Sequence, residues 1–242
     1  MSWGNYFAEN IQVPSSTDLN ILFNVYYSSP TVANAPVYVF HHGAGSSGLS
    51  FALVAAYLTK STSCGVIAFD VRHHGSTVVG EDKGLDLSLE TLAQDEVDVV
   101  KGVSVHASWD SGADGWPDLI LVGHRYSRSN CVNSSLGGAV SAHIAVHNLL
   151  PALCLSVIDV VEGSAMDALQ SMQTYLSTRP KTFGTLEQGI QWHLHSRTIR
   201  NRESARVSVP PLLREDNGQW KWRTDLATTR LFWEGQRLSS NI

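Results

Sequence analysis

Short, uniformly apolar runs separated by glycine-rich or polar loops punctuate the first two thirds of the chain. Residues 36–41, 64–70, 118–124 and 153–160 are apolar at successive rather than alternate positions. That is the pattern of strands buried on both faces. Two further strand-like runs lie within residues 8–28; the clearer spans 20–27 and is closed by Ser28-Ser29-Pro30. Between the buried runs the period changes to that of a helix. Residues 50–60 have it. A second helix starts near Ser88 and carries Leu89, Leu92, Ala93, Val97 and Val100 on one face. A third carries Ala142, Ala145, Val146 and Leu149. Strands alternating with helices predict an α/β fold: a mostly parallel sheet covered on both faces. Residues 163–235 read as helical and more polar, with no strand as strong as the earlier ones. They are expected to form a helical cap over the carboxyl edge of a core spanning residues 8–162, within a single domain.

Composition narrows the possibilities. The 242 residues suit one medium domain with a cap, and a net charge of −5 gives no electrostatic support for nucleic-acid binding. No apolar run reaches the length of about 18 residues that a membrane span needs. The start, Met1-Ser2-Trp3-Gly4-Asn5-Tyr6, lacks the basic and apolar regions of a signal peptide. Cys64, Cys131 and Cys154 show no metal-ligand spacing and read as reduced thiols of a cytoplasmic or nuclear protein.

Candidate chemistry sits at the ends of the buried runs. The run 118–124 closes with Gly123-His124, and Ser135-Leu136-Gly137-Gly138 opens the third helix. Joined, the two would spell G-x-S-x-G, the elbow that projects a nucleophilic serine above a sheet edge. Ten residues, 125–134, separate them. The elbow works because its turn is very tight, with glycines letting strand and helix approach each other. The insertion is therefore expected to break that assembly. Ser135 is the candidate nucleophile, or else a helix N-cap. Ser134 is its rival, but only Ser135 keeps Leu-Gly-Gly behind it. His42-Gly43-Ala44-Gly45, directly after a strand, reads as an oxyanion loop or as a plain glycine-rich turn. No phosphate-binding pattern is present. Asp159, at the end of its run, suits a triad acid or a solvated strand-end aspartate, with Glu162 and Asp167 as weaker choices.

A base is harder to find. The order expected on this fold is serine, acid, histidine, and after Asp159 only His193 and His195 remain. Both lie in a helical stretch beside Trp192, and their i, i+2 spacing rules out a shared helix face for a metal. His41, His42, His73 and His74 read as structural. The base is absent from this chain on that reading.

Three long stretches complete the pattern. They are Ile158-Asp159-Val160-Val161-Glu162-Gly163-Ser164-Ala165-Met166-Asp167-Ala168-Leu169, Arg179-Pro180-Lys181-Thr182-Phe183, and Ile199-Arg200-Asn201-Arg202-Glu203-Ser204-Ala205-Arg206-Val207-Ser208. With them, the chain resembles the protein phosphatase methylesterase family of α/β-hydrolases from Ser2 to about Gly235. The resemblance implies hydrolysis of the C-terminal leucine methyl ester of the protein phosphatase 2A catalytic subunit in its methylated form, without cofactor or metal. It carries the nucleophile onto Ser135, the acid onto Asp159, and the oxyanion donors onto backbone amides at Ala44 and Leu136. The family's histidine follows two further strands near its C-terminus, whereas this chain leaves the pattern after Gly235. Little or no activity is therefore expected of the chain as written. Excising residues 125–134 restores the motif without a seam, so both departures read as splicing or gene-model errors. The alternatives are a catalytically dead hydrolase that binds phosphatase and a generic carboxylesterase.

Overall fold

The computed structural model describes residues 2–80, 84–109, 116–124, 136–158 and 176–232. Its centre is a six-stranded sheet in the order β1-β2-β4-β3-β5-β6. The strands are β1 (Glu9–Pro14), β2 (Leu22–Ser28), β3 (Val37–His41), β4 (Gly65–Phe69), β5 (Leu119–His124) and β6 (Ala152–Ile158). β1 and β2 enter antiparallel; β4, β3, β5 and β6 run parallel. Every residue of β4 is buried, as its unbroken apolar run requires.

Two layers of helix cover the sheet except at β6; that strand was expected to be buried on both faces, but it lies at the sheet's edge and its residues are exposed or half-buried, Leu153 at 67%. On one face, α2 (Leu89–His106) and α3 (Leu136–Val146) close over Phe23, Val25, Val39, Ile67, Phe69 and Leu121. On the other face, α1 (Ala52–Ser61) meets Tyr26, Phe40, Val66 and Ala68. The face of α2 predicted from the sequence holds, with Leu92, Ala93, Val97 and Val100 buried. The same helix also buries Asp95, Glu96 and Asp98. Each is paired. Asp95 accepts from Arg72 Nε and Nη2 at 2.6 and 2.5 Å. Glu96 meets His41 Nδ1 at 2.8 Å. Asp98 accepts from the Ser16 amide at 2.7 Å. Burial still holds the Asp95 carboxyl above the usual range, because desolvation outweighs the favourable guanidinium. These pairs tie α2 to the end of β3 and to the segments that follow β1 and β4.

The region after residue 175 corrects one expectation. It contains α4 (Leu186–His195) and α5 (Arg202–Ser208), and also a three-stranded antiparallel sheet in the order β7-β9-β8. Those strands are β7 (Thr182–Phe183), β8 (Leu213–Asp216) and β9 (Gln219–Trp222). The cap is therefore mixed rather than helical. The strands hid from a periodicity reading because they are two to four residues long and mix exposed, half-buried and buried positions. Phe183, Ala205, Val209 and Leu213 form the cap's own small core, with Trp192 and Trp222 against it. α5 also bridges to the main domain, because Val207 packs with Phe51 and Ala52. Its first turn is capped by Asn201 Oδ1, which accepts from the Ser204 amide at 3.0 Å. Asn201→Ala is expected to cost about 1 kcal/mol, read as a lower urea midpoint at unchanged slope.

Candidate active site

The parallel register sets the stage. His41 pairs with Gly123, Gly123 with Val157, and His124 with Ile158, so β3, β5 and β6 end at one carboxyl edge. The strand order reverses direction between β3 and β5. The crevice outside that switch point is where open α/β sheets bind ligands.

The two halves of the predicted elbow meet at this edge. A Cβ on Gly123 would fall on the Gly137 carbonyl and 2.5 Å from Gly138 Cα. A Cβ on Gly137 would strike the carbonyl oxygen of His41 and stand 3.0 Å from the His124 nitrogen. Real Cβ atoms do not approach backbone that closely, so only glycine permits this contact. β5 and α3 touch through these glycines despite the ten residues between His124 and Ser135; the turn that the insertion was expected to break lies outside the described residues. Ser135 itself and Asp159 lie outside the described residues, as do the rivals Ser134, Glu162 and Asp167. Leu136, the next residue after Ser135, is described; it is buried and opens α3, where the first amides have no partner within the helix.

The loop after β3 is built around two neutral histidines. His42 donates Nδ1–H to the Gly43 carbonyl at 2.8 Å and accepts the Val71 amide on Nε2 at 3.0 Å. His74 donates Nδ1–H to the Arg72 carbonyl at 2.9 Å and accepts the Gly45 amide on Nε2 at 2.9 Å. Carbonyls only accept and amides only donate, so both rings are fixed as the Nδ1–H tautomer. Burial, the largest cause, pushes both below the usual histidine value, His42 well below and His74 to about 4. The structural role expected of these histidines is what the geometry gives them. In the same loop the Ser46 amide donates to the Gly43 carbonyl at 3.1 Å. With the Gly45 amide spent on His74, the buried Ala44 amide is left without a partner among the described residues.

Three groups that sequence reasoning passed over hold this loop. Asp70, fully buried at the end of β4, accepts the Gly48 and Ser76 amides at 2.8 Å each and Asn24 Nδ2 at 3.0 Å. Its pKa is nevertheless raised, because burial outweighs those bonds. Arg72 is pinned by Asp95, as described above. Leu226 reaches over from the cap: a Cβ on Gly45 would lie 2.8 Å from its Cδ1. Thr224 beside it donates to the His73 carbonyl at 2.8 Å. A cleft of about 480 Å³ opens at this joint, lined by His73, His74, Thr77, Arg214, Arg223 and Thr224 among others. The signal for Asp70 and Arg72 was present, since charged residues rarely follow a wholly apolar strand without a partner. The signal for Leu226 was not.

The remaining histidines are placed as well. His193 is buried on α4 and donates to the Gly189 carbonyl at 2.9 Å; burial lowers its pKa to about 4. His195 ends the same helix. His124 meets Phe51 edge-on at 5.9 Å. Among the described residues no group of three or more histidine, cysteine, aspartate or glutamate side chains gathers to hold a metal. No helix among them is long and apolar enough to cross a membrane.

Comparison with known proteins agrees with this geometry. A family model described as "Alpha/beta hydrolase family" matches residues 38–241. Protein phosphatase methylesterase 1 of Gibberella zeae is 46% identical over 240 residues, which is 96% of this chain and 56% of that protein. The protein of the same name from Rattus norvegicus is 40% identical over 219 residues, 89% of this chain and 50% of that one. The chain thus spans about half the length of these relatives. Among solved structures, E-2-(acetamidomethylene)succinate hydrolase matches with a TM-score of 0.68 at 16% identity, over 95% of this chain and 73% of that one. At that identity the likeness concerns the fold alone.

Proposed function

Because this chain belongs to the α/β-hydrolase family, we propose that it derives from a serine carboxylic ester hydrolase that demethylates a protein phosphatase. The substrate of this reading is the C-terminal leucine methyl ester of the methylated protein phosphatase 2A catalytic subunit, met in the cytoplasm. The observation that carries it is the contact of Gly123 with Gly137 and Gly138 at the carboxyl edge. The name shared by its relatives, protein phosphatase methylesterase 1, supports a methyl ester on a protein phosphatase as the substrate.

In this mechanism Ser135 attacks the ester carbonyl. The negative charge that develops on oxygen is received by the amides of Ala44 and Leu136, which this reading assigns as the oxyanion donors. Methanol leaves, and water then cleaves the acyl-enzyme. Asp159 is the acid that, in an intact relative, orients the histidine that moves the protons; no histidine of this chain is assigned that part. Ester hydrolysis by this route uses no cofactor or metal.

The 242-residue polypeptide is expected to be a poor catalyst. Of its ten histidines, His42 and His74 have both ring nitrogens bound to backbone. His41 is sealed with Glu96 at zero exposure. A missing triad member lowers kcat by about 10⁴-fold or more. The test is methanol release from a peptide ending in leucine methyl ester, together with labelling by a fluorophosphonate probe. The parent chain should show weak labelling and turnover at least about 10⁴-fold below that of a full-length relative. Deleting residues 125–134 should strengthen labelling, and Ser135→Ala should abolish it. Labelling that persists in Ser135→Ala would place the nucleophile elsewhere and end this reading.

A further inference from the structure

Outside the catalytic edge, the carboxyl end of α3 holds two imidazoles that neither the fold nor the proposed chemistry uses. His143 lies in the last turn of the helix, and His147 follows one turn later. Residues four apart on a helix stand one above the other. Here the rings face each other with centroids 4.1 Å apart and planes inclined by 27°. Next to them Asn148 adopts a left-handed conformation with φ of 52°, which ends the helix and leaves the pair at the surface.

We propose that His143 and His147 form a bidentate site for a borderline divalent transition metal ion, such as Zn²⁺, Ni²⁺ or Cu²⁺. Two features carry this. The first is spacing. Metal–nitrogen bonds of about 2.0 Å at a tetrahedral angle need nitrogens roughly 3.3 Å apart; the i, i+4 positions put both imidazoles on one face with centroids 4.1 Å apart, and the rings would turn out of their stack to point their lone pairs at one ion. The second is orientation. His147 donates Nδ1–H to the His143 carbonyl at 3.0 Å. That bond fixes the tautomer and leaves the Nε2 lone pair of an exposed ring for a metal, the arrangement that ligating histidines commonly show.

No third protein ligand completes the site among the described residues. Solvent fills the other positions, so the affinity is that of a two-imidazole chelate. The spacing differs from His193 and His195, which lie two residues apart on α4 and cannot share a face. A bound ion would clamp the last turn of the helix whose first residue, Leu136, faces the catalytic edge.

Calorimetric titration of the full chain with ZnCl₂ at neutral pH tests this, followed by CuCl₂ and MgCl₂. Saturable one-to-one binding of Zn²⁺, tighter binding of Cu²⁺ and none of Mg²⁺ are expected, in the order imidazole ligands impose. His147→Gln alters an exposed side chain and should preserve the fold; it should weaken Zn²⁺ binding on the order of a hundredfold, because one imidazole alone loses the chelate advantage. His143→Gln should do the same, and His195→Gln should change nothing. Zn²⁺ binding of parental strength in His147→Gln, or no saturable binding of either Zn²⁺ or Cu²⁺ by the parent, would overturn the proposal. Because the readout is binding, the result stands apart from whether the chain hydrolyses any ester.

Discussion

Gly137→Ala is expected to destabilise the protein by about 2 kcal/mol or more, although the substitution lies in a helix. Helix propensity alone argues the other way, since alanine outranks glycine by about 1 kcal/mol in a helix interior. Space decides the sign. The added methyl group would strike the His41 carbonyl oxygen and come 3.0 Å from the His124 nitrogen, and both are backbone atoms of central strands. Neither can rotate away. β3 and β5 would have to part from α3, losing the packing of Leu136, Val140 and Ile144 in the main core. Gly84→Ala is the control, because nothing lies within 4 Å of its new methyl group; it should be neutral or slightly stabilising. Urea unfolding of both variants, compared at equal slope, gives the answer. A Gly137→Ala protein as stable as the parent would mean that strand and helix do not meet as described.

The second large effect is a loss of stability in mild acid. His74 titrates near 4 in the folded protein and near 6.5 when exposed. The unfolded chain therefore takes up the proton first as pH falls. The stabilisation is fully present above pH 6.5 and is lost as pH falls toward 4, with a limit on the order of 3 kcal/mol for this one group. Buried His42 and His193 act in the same direction. Asp70 and Asp95 oppose them. Their raised pKa values mean that the folded state holds their protons more tightly, so stability rises as pH falls through those values. The contribution of His74 is isolated by His74→Gln, whose side-chain oxygen can still accept the Gly45 amide without titrating. The parent should lose stability faster than the variant between pH 6.5 and 4. Identical slopes would show that His74 is not held neutral. Protonated His74 has no acceptor for the Gly45 amide, so the loop that carries Ala44 should loosen over the same range.

Much of this architecture was legible from residue order alone. The runs that became β3, β4 and β5 are almost uniformly apolar and are buried at nearly every position, as strands covered on both faces require; the run that became β6 reads the same way in sequence but lies at the sheet's edge, exposed or half-buried throughout. The stripe of α2 and the glycines flanking the elbow are equally local signals. Glycine is required where two backbones touch, and that requirement is written into the sequence wherever the contact falls. The roles of the paired histidines as supports rather than catalysts also followed, from their place at strand ends.

Other features were fixed only by tertiary contact. The short strands β7, β8 and β9 have no periodicity long enough to detect, and pairing with one another makes them strands. Asp95, Glu96 and Asp98 look like a solvated run on a helix, yet all three are buried because their partners arrive from residues 15, 16, 41 and 72. Leu226 lies far along the chain from the loop it covers, and no local pattern announces such a contact. Nor could spacing alone decide the elbow. Ten extra residues separate its halves in sequence, but β5 and α3 are each anchored independently, by the sheet register and by the core. Joining two anchored elements through ten extra residues costs little extra entropy, so packing of those elements, rather than continuity of the chain, brings Gly123 against Gly137.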